Sequence, residues 1–121
     1  MTAAVWIGVA ALGGLGAILR FRLDAVVELR TGGEFPFGTL AVNVAGSFVL
    51  GILVGAGTGG NGLLLAGTAT IGSFTTFSTW MLETERLAED GDDRLALLNI
   101  VVSLAAGLAA ALAGWAIARA L

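Results

Sequence analysis

The chain has 121 residues, of which 57% are hydrophobic and 12% charged, with a mean hydropathy of +0.94. Soluble domains carry about twice that share of charge, so this is a membrane composition. Histidine, cysteine and lysine are absent and the net charge is −3, which excludes disulfides, thiol nucleophiles, thiolate or imidazole metal sites, Ser-His or Cys-His catalysis and a basic nucleic-acid footprint.

The charges mark out the elements. Residues 1–19 carry none. This run predicts a spanning helix over residues 3–22, closed by Arg20 and Arg22 at the edge of a vestibule. A span needs about 20 mostly apolar residues. Because the first cations follow the apolar run instead of preceding it, a cleaved signal peptide is not expected. Residues 23–36 read as an amphipathic loop.

Residues 35–82 are again uncharged, over 48 positions. That is too long for one crossing and long enough for two. The glycine-rich string Gly55–Gly62 divides it, because each Gly costs about 1 kcal/mol in a helix relative to Ala. The predicted spans are 37–55 and 62–84. Residues 85–93 form an acidic loop, and the uncharged run 95–118 predicts a last span over 94–119. The whole chain, 1–121, therefore reads as one all-α domain with four transmembrane helices. A soluble protein would have to leave these unpatterned apolar runs in water.

Small residues allow close helix approach in lipid. Gly8, Gly13, Gly14 and Gly16 in the first span, Gly51 and Gly55 in the second, and Ser103, Gly107 and Ala111 at four-residue spacing in the last read mainly as packing positions. The third span differs. Seven hydroxyls fall between Thr68 and Thr79, around Gly72. Either this is a hydroxyl-rich interface helix, or the helix breaks near Gly72 and frees backbone groups. Broken backbone is tolerated in a membrane only where it is buried or lines a cavity, and freed carbonyls can bind a cation such as sodium. Phe74, Phe77 and Trp80 form a stripe that serves packing or offers electropositive ring edges to an anion. Asn43 and Asn99 must find partners inside the bilayer; for Asn99 an interhelical hydrogen bond is expected. No ionisable group lies well inside a span, against proton-coupled transport.

Three strings, Gly13-Gly14-Leu15-Gly16-Ala17-Ile18-Leu19-Arg20-Phe21, Gly38-Thr39-Leu40-Ala41-Val42-Asn43-Val44-Ala45-Gly46-Ser47-Phe48 and Gly72-Ser73-Phe74-Thr75-Thr76-Phe77-Ser78-Thr79-Trp80, in this order and spacing, resemble the Fluc/CrcB fluoride channels over nearly the whole chain. The resemblance implies a passive, non-enzymatic channel in the cell membrane that lowers cytoplasmic fluoride. It implies an antiparallel dimer with two pores and a structural sodium ion at its centre, held by the carbonyls of Gly72 and Thr75. The pore residues it implies are Asn43, Phe77, Ser78, Thr79 and Trp80, with Ser103 extending a polar track. The family pattern has phenylalanine where this chain has Trp80, and the indole brings an N–H donor. The alternatives are a small multidrug-type exporter, which would need a carboxylate that residues 1–19 lack, and a non-transporting membrane assembly protein.

Five arginines flank the loops 23–36 and 85–93, whereas only Arg119 lies on the side of the termini. The positive-inside rule then puts the arginine-rich loops in the cytoplasm. This bias favours a fixed-orientation subunit whose antiparallel partner is a second homologue, against a homodimer of one chain inserted both ways.

Overall fold

The computed structural model describes residues 1–121 and is all helical, without strands. Helix α1 spans Ala3–Thr31. The Thr2 hydroxyl accepts the Val5 N–H at 3.3 Å, and Gly32, at φ +52°, ends the helix by donating its N–H to the Glu28 carbonyl. The helix thus runs nine residues beyond the expected end at residue 22. Charge marks where a helix leaves hydrocarbon, not where it stops, and residues 23–31 are mostly good helix formers.

That extension has a use. The Glu28 carboxylate accepts the Gly38 N–H at 2.9 Å and so caps helix α2, Phe37–Gly55, which starts after Pro36 with no capping side chain of its own. Gly38 is required by close approach, since a Cβ there would strike the Asp24 carboxylate and the α1 backbone.

The third span is segmented. Its first part, α3, is a continuous coil made of Gly60–Gly62, a π-helical stretch Leu63–Ile71 and Gly72–Phe74. Its second part, α4, is Ser78–Glu89. After Gly91, at φ +82°, helix α5 covers Asp93–Ala120, with the Asp92 carboxylate accepting the Leu95 N–H. Helices α1, α2 and α5 are each long and apolar enough to cross a membrane. The expected span 62–84 is present as two pieces.

Helices α2 and α5 run parallel in a constant register. Ser47 faces Gly107, Gly51 faces the Ala111 backbone and Gly55 faces the Trp115 backbone, where a Cβ would lie 2.5 Å from the carbonyl oxygen. In the same way Gly13 and Gly16 of α1 lie against Ala69 and Thr70 of α3. These glycines are therefore packing positions, and they bring α2 into the middle of the molecule. Val42 is its most enclosed side chain. Large apolar side chains of α1 and α5, such as Ile7, Phe21 and Leu112, point outward, as lipid or a second subunit requires.

Candidate functional site

The break between α3 and α4 lies at 75–77, not at Gly72. Gly72 is helical (φ −61°, ψ −35°), and its N–H donates to the Gly67 carbonyl five residues back. Thr75 turns extended (φ −82°, ψ 160°). Glycine is not what decides the position. The Asn43 Nδ2 donates to the Thr76 carbonyl at 2.8 Å, and the Thr76 N–H donates to Asn43 Oδ1 at 2.8 Å. An amide side chain on α2 thus pairs with both backbone groups of one residue as a neighbouring strand would. Gly46, one turn on, leaves the room that the Thr75 side chain occupies.

Thr76 also starts the next helix. Its Oγ1 accepts the Thr79 N–H at 3.2 Å and lies 3.1 Å from the Thr79 hydroxyl. Several carbonyls around the break consequently lose the donors that an unbroken helix would give them, those of Gly72 and Thr75 among them. The Thr76 N–H goes to Asn43 and not to Gly72, and the Thr79 N–H goes to Thr76 Oγ1 and not to Thr75. Such freed backbone oxygens suit a hard cation.

Most of the hydroxyls have local partners. Thr70 donates to the Leu65 carbonyl, Ser73 to Ala69 and Thr75 to Ile71, at 2.7–2.9 Å. These three bond back along their own helix, as hydroxyls in an interface helix do.

A groove of about 330 Å³ opens beside the break, lined by Asn43, Ser47, Thr75, Thr76, Phe77, Trp80 and Ser103 and closed by α5 residues around Gly107. Four of the expected pore residues, Asn43, Phe77, Trp80 and Ser103, meet here. The Phe77 and Trp80 rings stand edge to face, with centroids 5.7 Å apart at 86°. Phe77 is 70% exposed and Ser103 is buried, donating to Asn99 Oδ1 at 3.2 Å. Thr79 does not line this groove. It faces a second cleft, of about 200 Å³, with Arg20, Phe21, Asp24, Thr39 and Thr76. Ser78 is exposed and lines neither. Gly72 and Thr75 share a third, mainly apolar groove beside Leu50 and Ile71.

Thr76 belongs to both the cleft and the groove, and Asn43 holds it there. Sequence reasoning missed Thr76, Ser47, Thr39 and Asp24. The signal for Thr76 was its spacing to Thr79, that of a helix N-cap and the N–H it receives; it was hidden by reading the span as continuous up to Gly72. Thr39 hydrogen-bonds to the Glu83 carboxylate of α4, a pairing across 44 residues of chain that spacing alone cannot reveal.

Asn99 behaves as expected. It is fully buried and ties α5 to α4, with Nδ2 donating to Thr84 Oγ1 at 2.8 Å. The Trp80 indole N–H donates to the Asn99 backbone carbonyl at 3.0 Å, so it is committed within the subunit.

Comparison with known proteins adds to this geometry. Residues 7–115 match the family model described as CrcB-like protein, Camphor Resistance (CrcB). The chain is 53% identical over 119 residues to the fluoride-specific ion channel FluC 2 of Mycobacterium bovis, covering 98% of this chain and 94% of the relative. It is 46% identical to the fluoride-specific ion channel FluC 1 of Streptomyces avermitilis, covering 96% and 97%, and 47% identical to FluC 2 of Haloarcula marismortui, covering 92% and 91%. With the family model covering nearly all of the helical bundle, and with the broken third span and its Asn43 brace lying inside the matched region, the chain belongs to the CrcB-like family.

Proposed function

We propose that the chain is a fluoride-specific ion channel of the cell membrane, a passive conductor and not an enzyme, that relieves fluoride accumulation in the cytoplasm. The observation that carries the reading is the groove beside the break. It gathers Asn43, Ser103 and two aromatic rings without any charged side chain. Fluoride is small, strongly hydrated and a strong acceptor. Conduction needs sites that replace hydration yet release the ion, which the second Asn43 amide hydrogen and the ring edges offer and a ring of fixed cations does not. The cleft with Thr79, where Arg20 and Asp24 offset each other's charge, would be the polar approach to the groove, and Thr76 stands between cleft and groove. Ser78, exposed on the subunit surface, would contribute only where a second subunit covers it.

The same reading takes the working unit as an antiparallel dimer with two pores. The open side of the groove and the exposure of Phe77 support a second subunit closing it. A structural sodium ion fits the donor set: Gly72 and Thr75 offer carbonyls released from the helical ladder, with no carboxylate nearby in their groove. Held there, the cation would neutralise the freed carbonyl oxygens and tie the two subunits together. The partner is the same chain inverted or a second homologue.

The test is ion efflux from liposomes holding the purified protein, alone and with a homologous partner subunit. Fluoride efflux with chloride retained is expected; equal efflux of both, or none in either preparation, would overturn the reading.

A further inference from the structure

Trp80 poses a chemical problem for the proposed pathway. An indole N–H is a good hydrogen-bond donor, and added to the Asn43 amide and the ring edges already in the groove it would deepen one site where conduction needs several of similar, weak strength. The structure resolves it. The only donor of the ring is used: Nε1–H donates to the Asn99 carbonyl at 3.0 Å. The side chain of the same residue is tied to α4 in turn. The Asn99 side chain donates to Thr84 Oγ1 at 2.8 Å and lies 3.5 Å from the Trp80 carbonyl, and Thr84 Oγ1 donates to the same Trp80 carbonyl at 2.8 Å. Ser103 completes the cluster through Asn99 Oδ1. Asn99 is 1% exposed and Thr84 9%, so water does not compete. Meanwhile the ring itself lines the groove, at 86° to Phe77.

We propose that Asn99 and Thr84 are positioning residues that clamp the Trp80 indole with its N–H turned into the subunit, so that the pathway meets the carbon edge of the ring and not the donor. The clamp makes tryptophan act electrostatically as phenylalanine would. Asn99 and Thr84 touch no anion; they act through Trp80. The proposal rests on the channel reading for its consequence, whereas the clamp is a property of the subunit alone.

Two measurements test it. The first follows hydrogen–deuterium exchange of the Trp80 indole N–H by NMR in the purified full chain, with the resonance assigned by Trp80→Phe. Exchange is slow in the parent. It speeds up by about fivefold or more in Thr84→Val, the order expected for losing one buried hydrogen bond, and Thr84→Ser restores it. Asn99→Leu, close in volume, gives the same acceleration should Thr84→Val not fold. The second measures fluoride and chloride efflux from liposomes in a double-mutant cycle. Thr84→Val lowers the fluoride-to-chloride ratio by about fivefold in the parent and by less than about twofold in the Trp80→Phe background, where no N–H needs holding. A general structural role for Thr84 would lower both equally. Fast indole exchange in the parent, or equal losses in the two backgrounds, overturns the clamp. Absence of fluoride efflux from the parent overturns the channel reading instead, and leaves the exchange measurement to decide the clamp.

Discussion

Asn43 and Thr76 exchange two hydrogen bonds of 2.8 Å, one in each direction, across 33 residues of chain. This pairing turns an apolar span into two helices with a usable gap. It also frees the Gly72 carbonyl, because the peptide that would have donated to it is held by α2.

Replacing Asn43 by leucine removes both bonds and leaves the Thr76 N–H and carbonyl unpaired. The expected cost is about 1–3 kcal/mol for each buried group left unsatisfied. The variant is predicted to melt at a lower temperature in detergent and to lose fluoride efflux. Asn43→Asp keeps an acceptor for the Thr76 N–H but sets an oxygen against the Thr76 carbonyl, and should fall in between only where the acid is protonated. A leucine variant with parental melting temperature and flux would show that the break does not depend on this brace.

Phe77 gives a different pattern. Its ring is 70% exposed, so truncation removes little packing within the subunit. Phe77→Ala is expected to change subunit stability by no more than about 0.5 kcal/mol, the range of ordinary surface substitutions, while fluoride efflux falls at least about tenfold. Circular-dichroism melting beside liposome efflux separates the two effects. Loss of stability without a specific loss of flux would make Phe77 a packing residue.

The glycines divide by what a Cβ would meet. At Gly51 it would meet the Ala111 backbone, which cannot move aside, whereas at Gly14 nothing lies within 4 Å. Gly51→Val is predicted to disrupt the α2–α5 contact and cost more than about 3 kcal/mol, read as loss of monodisperse protein on size exclusion. Gly14→Ala should leave the subunit folded, gaining up to about 1 kcal/mol of helix propensity.

Sodium should act as a stabilising ligand. On replacing it with N-methyl-glucamine, the melting temperature of the assembled protein is expected to fall, and to rise again with added sodium along a binding curve. Thr75→Ala should preserve that response. Its carbonyl remains, and its hydroxyl bonds only back to Ile71. A melting temperature indifferent to sodium would argue against the site.

Membrane orientation is open to direct labelling, since the chain has no cysteine. Thr2 and Asp92 are the outermost markers of the two sides, but both cap helices, so Ala3→Cys and Asp90→Cys are the better reporters. In intact cells the arginine bias predicts that an impermeant maleimide reaches position 3 and not position 90. Comparable labelling of both would mean dual insertion and favour a homodimer of this chain.

The sequence by itself determined the membrane class, the four helical runs, the close-packing role of the glycines and the presence of something unusual in the third span. Each of these follows from composition and one-dimensional spacing: the bilayer sets a length, and small residues set how near two helices come. Asn99 was legible for the same reason, as an amide that hydrocarbon forces to find a partner. Only the tertiary structure decided where α1 ends, because Glu28 is kept helical while it caps an element ten residues away. Only it moved the break from Gly72 to 75–77, because an amide on another helix competes for the Thr76 peptide and wins where a glycine merely permits. It also separated Thr79 from Trp80, adjacent in sequence, onto a cleft and a groove, and turned the indole N–H inward to Asn99. Side-chain direction and long-range hydrogen bonding depend on the relative placement of helices, and spacing along one helix carries no record of it.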